Sequence, residues 1–128
     1  MVRHFNPDAI GTPQAAYSHG AEVNPGARYI FSAGQVGMGE GGKVLEGIEA
    51  QAEKVYGNLR AILEDAGMGP DNIVKMTTYM INPDDAPGAH KARAKMLGDI
   101  RPPNTLLYIK RLANPDFLLE VEMVAAAD

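Results

Sequence analysis

The stretch Leu118-Leu119-Glu120-Val121-Glu122-Met123-Val124 has the apolar composition of a β-strand, yet it carries a carboxylate through its middle. The strand before it follows a proline pair and reads Pro102-Pro103-Asn104-Thr105-Leu106-Leu107-Tyr108-Ile109. Glutamate is among the residues least often buried without a partner, so a Glu flanked by apolar strand residues needs a neighbour, a ligand or water. Glu120 is therefore the first residue at which we look for chemistry.

The periodicity of the rest of the sequence predicts secondary structure in the order β-β-α-β-α-β-β. A turn at Asn24-Pro25-Gly26 joins the first two strands into an N-terminal hairpin. Strands arranged around two long helices predict an α+β domain with both helices on one face of a mixed sheet. The predicted elements are strands 17–23, 29–36, 73–81, 104–112 and 118–126 and helices 48–66 and 86–97.

The length and composition favour a single ordinary domain over residues 1–128, because 45% of the residues are hydrophobic and no second composition regime occurs. The sequence shows neither an apolar run long enough to span a bilayer nor the pattern of a signal peptide. We therefore expect a soluble, cytoplasmic protein with no membrane partner.

Residue usage also excludes several kinds of site. The chain has no cysteine, which rules out disulfides, thiolate nucleophiles and Cys-based metal sites. Its histidines, His4, His19 and His90, lack the paired spacing of metal ligands, so we expect no structural zinc. A formal net charge of −4 gives no electrostatic footprint for a nucleic-acid backbone, so nucleic acid is disfavoured as a partner.

Several segments, taken together in order and spacing, carry a resemblance to a known family. They are Tyr17-Ser18, Phe31-Ser32-Ala33-Gly34-Gln35, Ile48-Glu49-Ala50-Gln51-Ala52, Ile73-Val74-Lys75-Met76-Thr77 and Leu119-Glu120-Val121-Glu122. From Tyr17 onward the chain resembles the RidA/YjgF family of reactive-intermediate deaminases. The resemblance implies a chorismate-mutase-like fold that forms a homotrimer around an inner barrel, with three ligand clefts between neighbouring subunits.

The resemblance also implies a chemistry. Deaminating members of the family hydrolyse short-lived enamines and imines of 2-amino acids to ammonia and a 2-keto acid, without a metal or an organic cofactor. A cationic fork holds the substrate carboxylate, and a carboxylic acid orients water or moves a proton at the imine. Glu120 matches the family's catalytic glutamate, while Tyr17 and the backbone around Gly34 match positions in the ligand cleft.

Three positions depart from the pattern of the deaminating members. Asn104 stands where they have arginine, Leu106 where cysteine is frequent, and His90 where asparagine is familiar. An amide offers neither the charge nor the fork of a guanidinium, and Asn104, Leu106 and Tyr108 should share one face of their strand. We therefore expect a cleft that is more apolar and less cationic, and a different ligand. Arg101, three residues upstream, is a distant candidate for a replacement cation.

Each candidate residue also has a purely structural interpretation. Glu120 can pair with a cation across a subunit interface, and His90 can be a half-exposed packing residue on its helix. Tyr17 can be a core aromatic whose hydroxyl finds a backbone partner, and Asn104 can simply begin its strand. The family positions favour the functional interpretation for Glu120 and Tyr17.

Three functions follow as hypotheses. The first is an enamine or imine hydrolase, or a related small-molecule hydrolase, that uses Glu120 on a substrate without the usual carboxylate. The second is a non-catalytic, small-molecule-binding or chaperone-like trimer. The third is the ribonuclease or translation-inhibitor activity sometimes attached to the family, which the acidic net charge disfavours.

Overall fold

Seven strands and two α-helices follow one another along the chain in a computed structural model that describes residues 1–128. Short 3₁₀ turns join several of them. The elements are β1 (Val2–Phe5), β2 (Gly20–Val23), β3 (Arg28–Phe31), β4 (Gln35–Val36), α1 (Ile48–Asp65), β5 (Ile73–Met80), α2 (Ala86–Leu97), β6 (Asn104–Tyr108) and β7 (Leu119–Ala127).

The main sheet is built around β7. Its strand order is β3-β7-β5-β6, and the short β4 also pairs with β7. β7 runs antiparallel to β3, β4 and β5, whereas β5 and β6 are parallel. The sheet is therefore mixed, as predicted, and the last strand in the sequence lies at its centre.

The predicted N-terminal hairpin is wrong. β2 pairs with β1, a strand that the sequence analysis did not predict, and β3 pairs with β7 instead of β2. Gly20 lies opposite Phe5 in the first pair, and a Cβ atom at Gly20 would come within 2.6 Å of the Phe5 ring. β7 is nine residues long and offers β3 a partner in the main sheet, so the two strands beside the Asn24-Pro25-Gly26 turn diverge.

Both helices lie on one face of the sheet, as predicted, and their bounds match the predicted ones closely. α1 buries the apolar stripe Ala52, Val55, Leu59 and Leu63. Alternate residues of β7, namely Leu119, Val121, Met123 and Ala125, are buried in the same core. The intervening residues Glu120, Glu122 and Val124 point to the other face, which we call the open face, and are only partly buried. Neither helix is long and apolar enough to cross a membrane.

One polar side chain in the core fixes the start of β7. Gln51 on α1 is only 1% exposed, and its amide nitrogen donates to the carbonyl oxygens of Leu45 and Asp116, each at 2.9 Å. Its amide oxygen accepts from the backbone N–H of Leu118 at 2.8 Å. Gln51 thus ties two loops to α1, and it holds the backbone two residues before Glu120.

Candidate functional site

Glu120 lies on the open face, directly above Gly34. A Cβ atom at Gly34 would lie 1.9 Å from Oε2 of Glu120, so any larger residue there would displace the carboxylate. No hydrogen bond or ion pair within the chain involves the Glu120 carboxylate, which is partly buried. The carboxylate is thus held by close packing against backbone, and its oxygens are free to bind water or ligand.

The neighbouring carboxylate on the open face is committed to a protein partner. Glu122 accepts a hydrogen bond from the Tyr79 hydroxyl at 2.8 Å, and this bond raises the pKa of Tyr79. Lys75 donates to Oγ1 of Thr105 at 2.7 Å. Both residues also lie on the open face. Of the two glutamates in the strand pattern, Glu120 is the one available for chemistry.

A second group of predicted residues lies at the edge of the sheet, on the helix side. Asn104 and Leu106 pair with Met76 and Thr78 and share their face, as the strand alternation predicts. Together with His90 of α2 they line a cavity of about 80 Å³, which we call the edge pocket. Its other lining residues are Tyr56, Thr78, Met80, Ala86, Ala89 and Arg93. The cavity has room for a few waters or one small polar group.

Polar contacts order the floor of the edge pocket. Oγ1 of Thr78 donates to Oδ1 of Asn104 at 2.9 Å, so Asn104 does more than begin its strand. Burial raises the pKa of Tyr56 to about 12, although the nearby Arg93 charge and a hydrogen bond with Thr78 oppose the shift. The Tyr56 hydroxyl is therefore neutral at physiological pH.

Arg93 is the functional candidate that the sequence analysis missed. It is 7% exposed, and burial is the main cause of its lowered pKa. Nη2 donates to the carbonyl oxygens of Ala16 at 2.8 Å and Ile100 at 3.3 Å, while the buried Nε has no partner. Arg101 is exposed and instead pairs with Asp99 at 3.5 Å. Helix α2 thus places a cation beside the edge pocket, whereas strand β6 contributes none to its lining.

The predicted site residues fall into two groups separated by the sheet. Tyr79 pairs with Glu120 on one side and Leu107 on the other, so these three share the open face. Asn104 and Leu106 face the opposite way. Within one chain the Glu120 group and the edge pocket do not meet, and a site that uses both needs a second copy.

Tyr17 lies just before β2 and is partly buried. Its ring packs edge-on against the ring of His19, with centroids 5.6 Å apart. The carbonyl of the preceding residue, Ala16, is the group that Arg93 holds. The segment that carries Tyr17 is therefore anchored to a residue of the edge pocket.

The high pKa of Tyr56 leads to a prediction for stability in alkali. The pKa is about 12 in the folded state and about 10 in an unfolded chain, so the unfolded state loses its proton first. The contribution of the protonated Tyr56 hydroxyl to the free energy of unfolding is complete below about pH 10. It disappears as the pH rises toward 12, a loss of about 2–3 kcal/mol. Urea unfolding at several alkaline pH values should show a steeper loss for wild type than for Tyr56→Phe. Parallel curves for the two proteins would contradict this assignment.

Comparison with known proteins identifies a family model and relatives that this chain resembles. Residues 8–127 match the family model described as Endoribonuclease L-PSP. The chain is 31% identical to a RutC family protein of Pyrococcus abyssi over 115 residues, which cover 88% of this chain and 87% of the relative.

Two solved structures have the same fold. A Rid family protein of unknown function, YyfB from Yersinia pestis, superposes with a TM-score of 0.84 at 28% identity over 98% of each chain. Escherichia coli TdcF with bound serine superposes with a TM-score of 0.72 at 25% identity, over 96% of this chain and 94% of TdcF.

Proposed function

This chain belongs to the RidA/YjgF family, and from that premise we propose that it hydrolyses small enamines or imines to ammonia and a carbonyl product. The reaction would use Glu120 and require no cofactor. The observation that carries this proposal is the free carboxylate of Glu120, packed against Gly34. TdcF, a structural relative, binds serine, which favours a small ligand derived from an amino acid.

Glu120 has the chemistry that the reaction needs. As a carboxylate it accepts a proton from water while the water oxygen adds to the imine carbon, giving a tetrahedral carbinolamine. As a carboxylic acid it returns that proton to the nitrogen, which becomes an ammonium leaving group. The carboxylate so regenerated takes the hydroxyl proton of the carbinolamine as the C–N bond breaks, so that the carbonyl forms and ammonia leaves. One carboxyl group that alternately accepts and donates a proton is sufficient for hydrolysis of a protonated imine.

We further propose that each site is shared between copies of the chain in a homotrimer. The open face exposes large apolar side chains, among them Phe31, which is 75% exposed and stacks on Tyr29. Leu107 on the edge strand is exposed on the same face. Large apolar side chains exposed on a sheet in this way are typical of a surface covered by another subunit. A second copy there would bring an edge pocket toward Glu120.

The direct test is the release of ammonia and keto acid from imines that an amino-acid oxidase generates in situ. We expect the protein to accelerate both products over the spontaneous rate in buffer. No acceleration, combined with thermal stabilisation by serine, would favour the non-catalytic binding trimer instead. Cleavage of RNA by the pure protein would favour the ribonuclease hypothesis.

A further inference from the structure

The guanidinium of Arg93 is an unpaired cation inside the protein. No carboxylate of the chain forms an ion pair with it. Its two acceptors are the neutral carbonyl groups of Ala16 and Ile100, both bound by Nη2. Buried charges in proteins are normally paired, because desolvation of an isolated ion costs several kcal/mol. Asp99 lies close enough to favour the charge of Arg93 but forms no ion pair with it, so the guanidinium keeps the capacity to bind an anion.

Part of the Arg93 guanidinium remains available to such an anion. Nε is buried without a partner, and Nη1 has no acceptor in the chain. Arg93 lines the edge pocket, and its Nη1, unlike Nε, is not enclosed, so Nη1 is the group that an entering anion can reach. A guanidinium with N–H groups to spare beside a cavity is a ready binding group for an oxyanion.

The rest of the edge pocket suits the same ligand. Asn104 uses its amide oxygen to accept from Thr78, which leaves its NH₂ group as a donor without a partner in the chain. His90 adds a ring nitrogen, and no acidic side chain lines the pocket. Leu106 and Ala89 supply apolar walls. The lining thus combines donors and apolar surface, and the cavity of about 80 Å³ admits a carboxylate.

We propose that Arg93, assisted by Asn104, binds the carboxylate of the ligand. The cation comes from helix α2 and not from strand β6, and the ligands that it selects are small molecules with a carboxylate. The identity of the ligand rests on the proposed function, whereas the presence of an anion site does not.

The test measures binding without turnover, with pyruvate and its neutral amide, pyruvamide, as probes in titration calorimetry at low ionic strength. We expect pyruvate to bind wild type about tenfold or more tightly than pyruvamide. Arg93→Gln should weaken pyruvate binding about tenfold or more and leave pyruvamide unchanged. Arg28→Gln is the matched control, because it removes an exposed arginine of the same charge that forms no ion pair, and both affinities should stay within about threefold.

A second pair of variants keeps the test valid if loss of the Ala16 and Ile100 contacts unfolds Arg93→Gln. Leu106→Glu places in the pocket a carboxylate that competes for the Arg93 guanidinium, while Arg93 and its two backbone contacts are kept. Leu106→Gln is the neutral counterpart of this variant. We expect the Glu variant alone to lose the preference for pyruvate.

The proposal is overturned if wild type binds neither probe or binds both equally, or if Leu106→Glu and Leu106→Gln behave alike. A carboxylate preference in a protein that releases no ammonia would leave the anion site standing and defeat the proposed function. Ammonia release without a carboxylate preference would support the proposed function and defeat the anion site.

Discussion

Glu120→Gln should lower the rate of ammonia release by about 100- to 10,000-fold, the usual contribution of a positioned acid or base. Glutamine has nearly the same shape, so it should still fit above Gly34, where the space beside the side chain is limiting. Its amide cannot take a proton from water and return it to nitrogen. The rate of keto-acid formation from the in-situ imine measures the effect.

Glu122→Gln is the control for this experiment. It removes the same charge from the same face of β7, two residues away, and the amide oxygen can still accept from Tyr79. We expect a rate near that of wild type. Equal losses in the two variants would mean that the charge of the open face, not the Glu120 carboxyl group, supports the reaction.

Mixing two inactive variants tests whether the site is shared. Glu120→Gln removes the carboxyl group from one half of the proposed cleft. Leu106→Glu inactivates the other half, the edge pocket that a second copy contributes. Subunits that are unfolded and refolded together at equal amounts should form intact clefts at about one quarter of the positions, and activity should return to that extent. A mixture no more active than its separate components would place the whole site within one chain.

Gln51→Leu should produce the largest loss of stability, about 2–4 kcal/mol. The variant leaves three backbone groups without their partner, namely the carbonyls of Leu45 and Asp116 and the N–H of Leu118. Leucine cannot satisfy any of them, and the residue is fully enclosed in the core. The free energy of unfolding from urea titration measures the loss.

Gln14→Leu makes the same chemical change at an exposed position. The amide of Gln14 makes one long hydrogen bond, 3.3 Å to the carbonyl of Thr12. We expect a change within about 0.5 kcal/mol there. If Gln51→Leu costs no more than this control, the loops before α1 and β7 do not depend on the buried amide.

The helices could be predicted from sequence because their signal is local. The apolar spacing from Ile48 onward identifies α1 almost to the residue, and the break at Asn82-Pro83-Asp84-Asp85 places α2 directly after it. Strand pairing could not be predicted in the same way. A good turn at Asn24-Pro25-Gly26 suggests a hairpin, but the partner that β3 adopts, β7, lies at the far end of the sequence.

The same distinction between local and tertiary signals applies to the residues of the candidate site. Glu120 can be recognised from the sequence because a carboxylate within an apolar strand is unusual. Arg93 cannot, because an arginine within a helix has the pattern of an ordinary solvated charge. Its burial depends on tertiary packing. Of the two carbonyl groups that hold it, that of Ala16 lies 77 residues before Arg93 and that of Ile100 lies 7 residues after it.

The central place of β7 constrains how the protein is made in the cell. β3, β4 and β5 all pair with this strand, and the one other pairing in the main sheet joins β5 to β6. During synthesis, most of the sheet therefore has no template until residues 119–127 leave the ribosome. The apolar faces of α1 and β5 lack their β7 partner from their own synthesis until that of β7, an interval in which the nascent chain is vulnerable to aggregation. The sheet is therefore complete only once β7 is available, and residues 119–127 act as its organiser.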